Sequence, residues 1–105
     1  MHSLIIGGGK IGYYLTKVLI EKGYDVSVVE KEKEACQKFA NDLNITVIKG
    51  DGTSVSVLEQ AGVADADSVI AVTGRDEDNL VACQLAKRLY HCLLYTSPSP
   101  RDSTS

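Results

Sequence analysis

The apolar stretch Leu4-Ile5-Ile6 runs directly into Gly7-Gly8-Gly9-Lys10-Ile11-Gly12, and few local patterns restrict a backbone more tightly. Glycines at G-x-G-x-x-G spacing fit a strand that turns sharply into a helix. Gly7 lets the chain leave the strand in a tight turn, Gly9 keeps side-chain atoms away from anything approaching the backbone, and Gly12 lets the new helix lie close to the sheet. Residues 13–22 follow with apolar side chains near helical spacing, including Tyr14, Leu15, Val18 and Leu19. The unpaired N–H groups at a helix start carry about half a positive charge, so this unit is suited to holding a phosphate largely through main chain. Gly7, Gly8, Gly9, Lys10, Ile11 and Gly12 are therefore candidate contacts, with Lys10 adding a mobile ammonium.

The remaining sequence repeats the alternation. A strand is expected over 25–30, a helix over 33–43 with Cys36, Phe39, Ala40 and Leu43 on one face, and a strand over 45–49. A short helix over 54–61, a strand over 68–73 and a helix over 78–90 complete the series, the last presenting Leu80, Cys83 and Ala86 or Lys87 in successive turns. Strands that alternate with helices pair in parallel through right-handed crossovers. The expected fold is α/β, a doubly wound parallel sheet of Rossmann-like type with four βα units over residues 1–90. Beyond residue 90, Cys92-Leu93-Leu94-Tyr95 is apolar but leads into a Ser/Pro-rich tract. Residues 91–105 are accordingly expected to form a tail outside the domain.

The charge balance restricts the class of ligand. A net charge of −3 over 105 residues gives no broad basic face for a nucleic acid, so any phosphate must be held locally. Cys36, Cys83 and Cys92 lack C-x-x-C spacing and read as free thiols in a reducing compartment rather than a disulfide framework or a zinc site. No apolar run approaches the roughly 20 residues that a membrane helix requires. A cytoplasmic location follows, and docking onto a membrane protein remains compatible with it. No nucleophile is accompanied by a base, and no metal-ligand spacing occurs, so catalytic and metal-binding residues are expected to be absent.

Glu30 lies 18 residues beyond Gly12, at the end of the second expected strand. An acid near that offset accepts hydrogen bonds from a ribose diol and repels a 2′-phosphate, favouring NAD(H) or an adenine nucleotide over NADP; neighbouring Lys31 and Lys33 soften that exclusion. Gly50-Asp51-Gly52-Thr53 ends the third strand. There Asp51 is placed either to bond an adenine amino group or to form an ordinary Asp-Gly turn. Thr73-Gly74-Arg75 leaves the fourth strand beside the first, where open α/β sheets collect ligands. Asp76, Glu77 and Asp78 are explained by capping and dipole stabilisation of the helix they open, leaving Asn79 as the candidate contact on that helix.

Taken together, residues 4–12, Val28-Val29-Glu30-Lys31, Gly50-Asp51-Gly52-Thr53, Ala66-Asp67-Ser68-Val69-Ile70-Ala71-Val72-Thr73 and Asp76-Glu77-Asp78-Asn79-Leu80 closely resemble the N-lobe of the Trk/Ktr potassium-uptake regulators. This is the TrkA-N, or RCK, nucleotide-binding domain, and the resemblance covers residues 3 to about 90. It implies a cytoplasmic, non-catalytic regulatory subunit, peripheral to the inner face of the cell membrane. Such a subunit binds NAD(H) or ATP/ADP, forms dimers and rings, and gates a membrane potassium transporter subunit. The implied contacts are Gly7, Gly9 and Gly12 in the phosphate turn, Lys10 toward a terminal phosphate or a neighbouring subunit, Glu30 on ribose, Asp51 near adenine, and Thr73 and Asn79 in the crevice. Lys31, Gly52, Thr53 and Gly74 on the same segments complete the candidate set. Family members continue with further strands and dimer-forming helices that are not legible after Tyr90, so the chain reads as a C-terminally truncated domain. A nucleotide-binding fragment of an NAD-dependent oxidoreductase is the enzyme alternative.

Overall fold

Parallel strands can be joined only if a helix carries the chain back to the same edge of the sheet. A computed structural model follows that requirement through residues 1–90 and 93–96, which are the residues it describes. Strands β1 (His2–Ile6), β2 (Asp25–Glu30), β3 (Thr46–Lys49), β4 (Ser68–Ala71) and β5 (Leu93–Thr96) are separated by helices α1 (Lys10–Glu21), α2 (Lys33–Asp42), α3 (Val55–Gln60) and α4 (Asp76–Tyr90), with a 3-10 turn at Val63–Asp65. All strand pairs are parallel, in the order β3-β2-β1-β4-β5. The order reverses between β1 and β4, where Ile6 stands opposite Ala71.

Side-chain alternation along the central strands divides the core into two layers. Leu4, Ile6, Val29, Val69 and Ala71 face Leu58, Ala61, Ala82, Cys83 and Ala86 of the α3–α4 side. Ile5, Val26, Val28 and Val72 face Phe39 and the partly buried Tyr13, Leu15, Leu19 and Ile20 of the α1–α2 side. Leu4, Ile5, Val28 and Val69 are fully enclosed, and each such side chain contributes about 1.5–3 kcal/mol by leaving water. β1, β2 and β4 therefore hold the layers together, while Val47 and Ile48 of the edge strand β3 are only partly buried.

Three expectations change in detail. Tyr14 is exposed, and the buried stripe of α1 runs through Gly12 and Thr16 instead; the Thr16 hydroxyl satisfies itself on the Gly12 carbonyl at 2.8 Å. On α2, Ala40 is exposed and Phe39 alone is buried. On α4, Leu80 and Lys87 face outward, and small residues, Ala82, Cys83 and Ala86, lie against the sheet. A helix that packs closely on a strand needs small side chains at the contact, and the larger Leu80 is left outside it.

The stretch expected to be a tail also requires correction. Leu93–Thr96 forms β5 and pairs with β4 in parallel, from Ser68 opposite Leu93 to Ala71 opposite Thr96. The remainder of the expected tail, residues 91, 92 and 97–105, lies outside the described residues.

A methyl group added at Gly12 would overlap the Gly7 carbonyl oxygen, whereas one added at Gly9 meets no atom within 4 Å. Gly12→Ala should therefore destabilise the domain by roughly 1–3 kcal/mol through overpacking, lowering the thermal midpoint by about 4–8 °C per kcal/mol. Gly9→Ser, at the N-cap, should leave the midpoint unchanged or slightly raised. Thermal melts followed by circular dichroism distinguish the two.

Candidate functional site

The glycine turn is built by close backbone approach. Gly7 has φ +112° and donates its N–H to the Val29 carbonyl at 2.8 Å. A side chain there would stand 2.6 Å from the Val72 carbonyl oxygen. The middle glycine proves equally necessary, since a Cβ on Gly8 would lie 2.7 Å from the Phe39 ring and 2.9 Å from the Glu30 carboxylate. α1 then starts from Gly9, with no side-chain cap and no acid in its first turn. Its leading N–H groups have no intrahelical acceptors, and the nearest acid bonded to this turn is Glu30, on the Gly8 N–H.

A crevice of about 200 Å³ opens at the carboxyl ends of the strands, lined by residues of all four β1–β4 edges. Of the expected site residues it brings together Gly7, Glu30, Lys31, Asp51, Gly52, Thr53 and Thr73. Gly8, Gly9 and Lys10 lie instead around a separate, open depression between α1 and α2, beside Tyr13 and Lys38. Ile11 is largely exposed and Gly12 is buried. Gly74 takes the left-handed conformation, φ +86°, in the β4–α4 loop and is absent from the crevice lining.

Glu30 faces the turn. Its carboxylate accepts from the Gly8 N–H through one oxygen and from the Glu32 N–H at 2.6 Å through the other. Ionised carboxylates have about four acceptor positions, so two remain for external donors. Beside it the Cys36 thiol donates to the Glu30 carbonyl at 3.4 Å. Burial, and then the Glu30 charge, push that thiol above its ordinary range, and burial does the same to Cys83. Neither is an activated thiolate.

Asp51 follows the turn alternative for one of its oxygens. Oδ1 accepts from the Thr53 N–H at 2.9 Å and from the Thr53 hydroxyl at 2.8 Å, while Oδ2 lies 4.0 Å from Lys31 Nζ. The Thr53 amide, then its hydroxyl, hold the Asp51 carboxyl below the usual aspartate range, with Lys31 adding to the effect. On the opposite wall, Thr73 donates to Asn79 Oδ1 through its N–H at 2.9 Å and its hydroxyl at 2.6 Å. Asn79 itself is buried and does not line the crevice. Asn79 thus braces Thr73 from behind the crevice wall.

The crevice also contains residues not selected from the sequence, notably Glu32, Arg75 and Asp78. Arg75 and Asp78 stood within recognised segments, but capping of a helix start had accounted for the acids. Their inward placement depends on how the β4–α4 loop turns, which residue spacing does not reveal.

A five-stranded doubly wound sheet with a glycine turn and a crevice at its reversal point defines a Rossmann-like α/β domain. The chain belongs to the TrkA-N domain family, whose model matches residues 3–97. It is 41% identical over 87 residues to the Trk system potassium uptake protein TrkA homolog of Methanothermobacter thermautotrophicus, covering 83% of this chain and 40% of that protein. With the Trk system potassium uptake protein TrkA of Haemophilus influenzae it shares 36% identity over 91 residues, covering 87% of this chain and 20% of the relative. The chain thus spans two fifths or less of the length of these relatives. Among solved structures, the NAD-bound GsuK channel superposes with a TM-score of 0.79 at 26% identity, covering 90% of this chain and 17% of that one. Among the described residues, no helix is long and apolar enough to cross a membrane.

Two outcomes test these walls. Asn79→Ala strands the Thr73 donors and should cost about 1–3 kcal/mol, with faster amide hydrogen exchange at Thr73. Acid should act on the Asp51 turn in a defined direction: because the folded carboxyl titrates below its unfolded value, the stabilisation is complete above about pH 3.9 and lost only as pH falls through the depressed value. An NMR titration of the Thr53 amide should therefore show its midpoint below that of an unstructured aspartate peptide.

Proposed function

We propose that this chain is the nucleotide-sensing N-lobe of a non-catalytic regulatory subunit of a potassium uptake system, taking NAD(H) or an adenine nucleotide in the crevice between β1 and β4. The observation that carries the reading is the placement of Glu30, whose carboxylate is fixed by main-chain N–H groups beside the glycine turn. In this arrangement a ribose diol donates to the Glu30 carboxylate, the phosphates lie toward the start of α1, and the base extends toward Gly50, Asp51 and Gly52. Lys31, Thr53 and Thr73 shape the walls, Gly74 turns the β4–α4 loop behind them, Asn79 positions Thr73, and Lys10, in the neighbouring depression, extends toward a terminal phosphate or an adjoining subunit. The potassium-uptake names of the relatives and the NAD bound to the GsuK channel support this assignment.

Regulation in such a subunit requires only differential affinity. A nucleotide that binds one assembly geometry better than another shifts the equilibrium between them, with typical couplings of about 1–3 kcal/mol. The partner is then a membrane potassium transporter subunit, and the assembly a dimer or ring on the cytoplasmic side of the membrane. The domain would form the first part of a longer regulator, in keeping with the length of the relatives.

Isothermal titration with NAD, NADH, ATP, ADP and NADP tests the reading directly. NAD(H) or an adenine nucleotide should bind, and NADP should bind at least about tenfold more weakly, because its 2′-phosphate meets the Glu30 charge. Gly9→Leu should abolish the binding heat while the melting transition persists. Absence of binding by every nucleotide, or undiminished binding by Gly9→Leu, would remove the assignment. Turnover of NADH with a small substrate would favour an oxidoreductase instead.

A further inference from the structure

The crevice is an acidic place for an anion to enter. Its lining carries the carboxylates of Glu30, Glu32, Asp51 and Asp78 against two cations, Lys31 and Arg75. Lys31 stands on the β2 side, beside Asp51. The two amides at the end of β1 are already engaged, Gly7 with the Val29 carbonyl and Gly8 with Glu30. On the reversal-point side of the crevice the cationic side chain is Arg75, two residues beyond Thr73, whose Cα packs against Gly7.

Arg75 combines an anchored backbone with a loosely held side chain. Its N–H donates to the Thr73 hydroxyl at 3.2 Å, and its carbonyl accepts from the Asn79 N–H at 3.0 Å. Thr73 is in turn held by buried Asn79. The guanidinium, by contrast, is 66% exposed and reaches Glu77 Oε1 at 3.4 Å and Asp78 Oδ2 at 3.6 Å. Exposed pairs of this length are weak, whereas a guanidinium binds a phosphate through paired, charge-assisted hydrogen bonds.

We propose that Arg75 is the residue through which the crevice selects a phosphoanhydride, by exchanging Glu77 and Asp78 for phosphate oxygens of the bound nucleotide. This rests on the nucleotide reading above and adds a consequence to it. While the guanidinium is paired with Glu77 and Asp78 it restrains the first turn of α4; once it swings to the ligand, that turn is released. Ligand charge is thereby converted into a change at the start of α4, with the loop backbone held still by Thr73 and Asn79.

The test uses the chain with Arg75→Gln, Arg75→Lys and Glu77→Gln, titrated with ADP, NAD and adenosine by calorimetry and NMR. Arg75 is exposed, and its loop bonds are made by main chain, so these variants should melt as the parent does. The proposal expects Arg75→Gln to weaken ADP and NAD at least tenfold while adenosine changes less than twofold, with Arg75→Lys intermediate. Glu77→Gln should tighten ADP in the parent but not in the Arg75→Gln background, and ADP should accelerate amide exchange at residues 76–79. Unchanged ADP affinity in Arg75→Gln, or an equal loss for adenosine, would overturn the Arg75 assignment and leave the nucleotide site standing. Unaltered exchange at residues 76–79 on ADP binding would overturn the release of α4. Failure of the parent chain to bind any of the three ligands would overturn the nucleotide reading together with this inference.

Discussion

The approach of α1 to the end of β1 sets the geometry on which the rest of the molecule depends. Gly12 sits so close to the Gly7 carbonyl that even a methyl group is excluded, and Gly7 is itself pressed against the Val72–Thr73 backbone. Because neighbouring parallel strands run in register, with Ile6 opposite Ala71 and Val29, this contact aligns the carboxyl ends of β1, β2 and β4. The helix axis, the crevice and the placement of Glu30 follow from that alignment. Hydrophobic burial on the two faces supplies most of the driving force, but burial is non-directional and would tolerate a helix shifted outward by a larger residue. Backbone contact makes the arrangement specific.

Two polar braces then fix the crevice walls. Glu30 joins the glycine turn to the β2–α2 connection through the Gly8 and Glu32 amides, and Asn79 joins the end of β4 to α4 through Thr73. Both use a side-chain acceptor to satisfy backbone donors that the strands no longer pair. The walls are consequently held by the chain's own hydrogen bonds. Between them stand two long, exposed cationic side chains, Lys31 and Arg75.

The layer order and parallel pairing were legible because they depend on patterns that extend over many residues: apolar runs of strand length, helical spacing and glycine punctuation. β2 begins and ends where its sequence predicts, at Asp25 and Glu30. The orientation of Glu30 was equally legible, since an acid at the end of the strand beside β1 has little choice but to face the turn. What was not legible depended on tertiary contact. Tyr14 and Leu80 are hydrophobic enough to suggest burial, yet the sheet accepts Thr16 and Ala82 at those levels. β5 is four residues long beside a polar tract, and its identity as a strand comes from the edge that β4 offers rather than from its own pattern. The bond from Thr73 to Asn79 was not legible, because sequence spacing does not distinguish a side chain that faces a ligand from one that holds a loop.

The dual engagement of Glu30 limits how this lobe can diverge. The carboxylate at the end of β2 is the acceptor for two main-chain donors, one on each side of the β1–β2 edge. Replacing the acid would do more than remove a negative charge, because a basic side chain supplies no acceptor for those amides and a neutral amide side chain supplies only one oxygen for the two. Redesign of ligand preference and repair of the turn would have to occur together, so descendants of this sequence that keep the acid have a shorter evolutionary path than those that lose it.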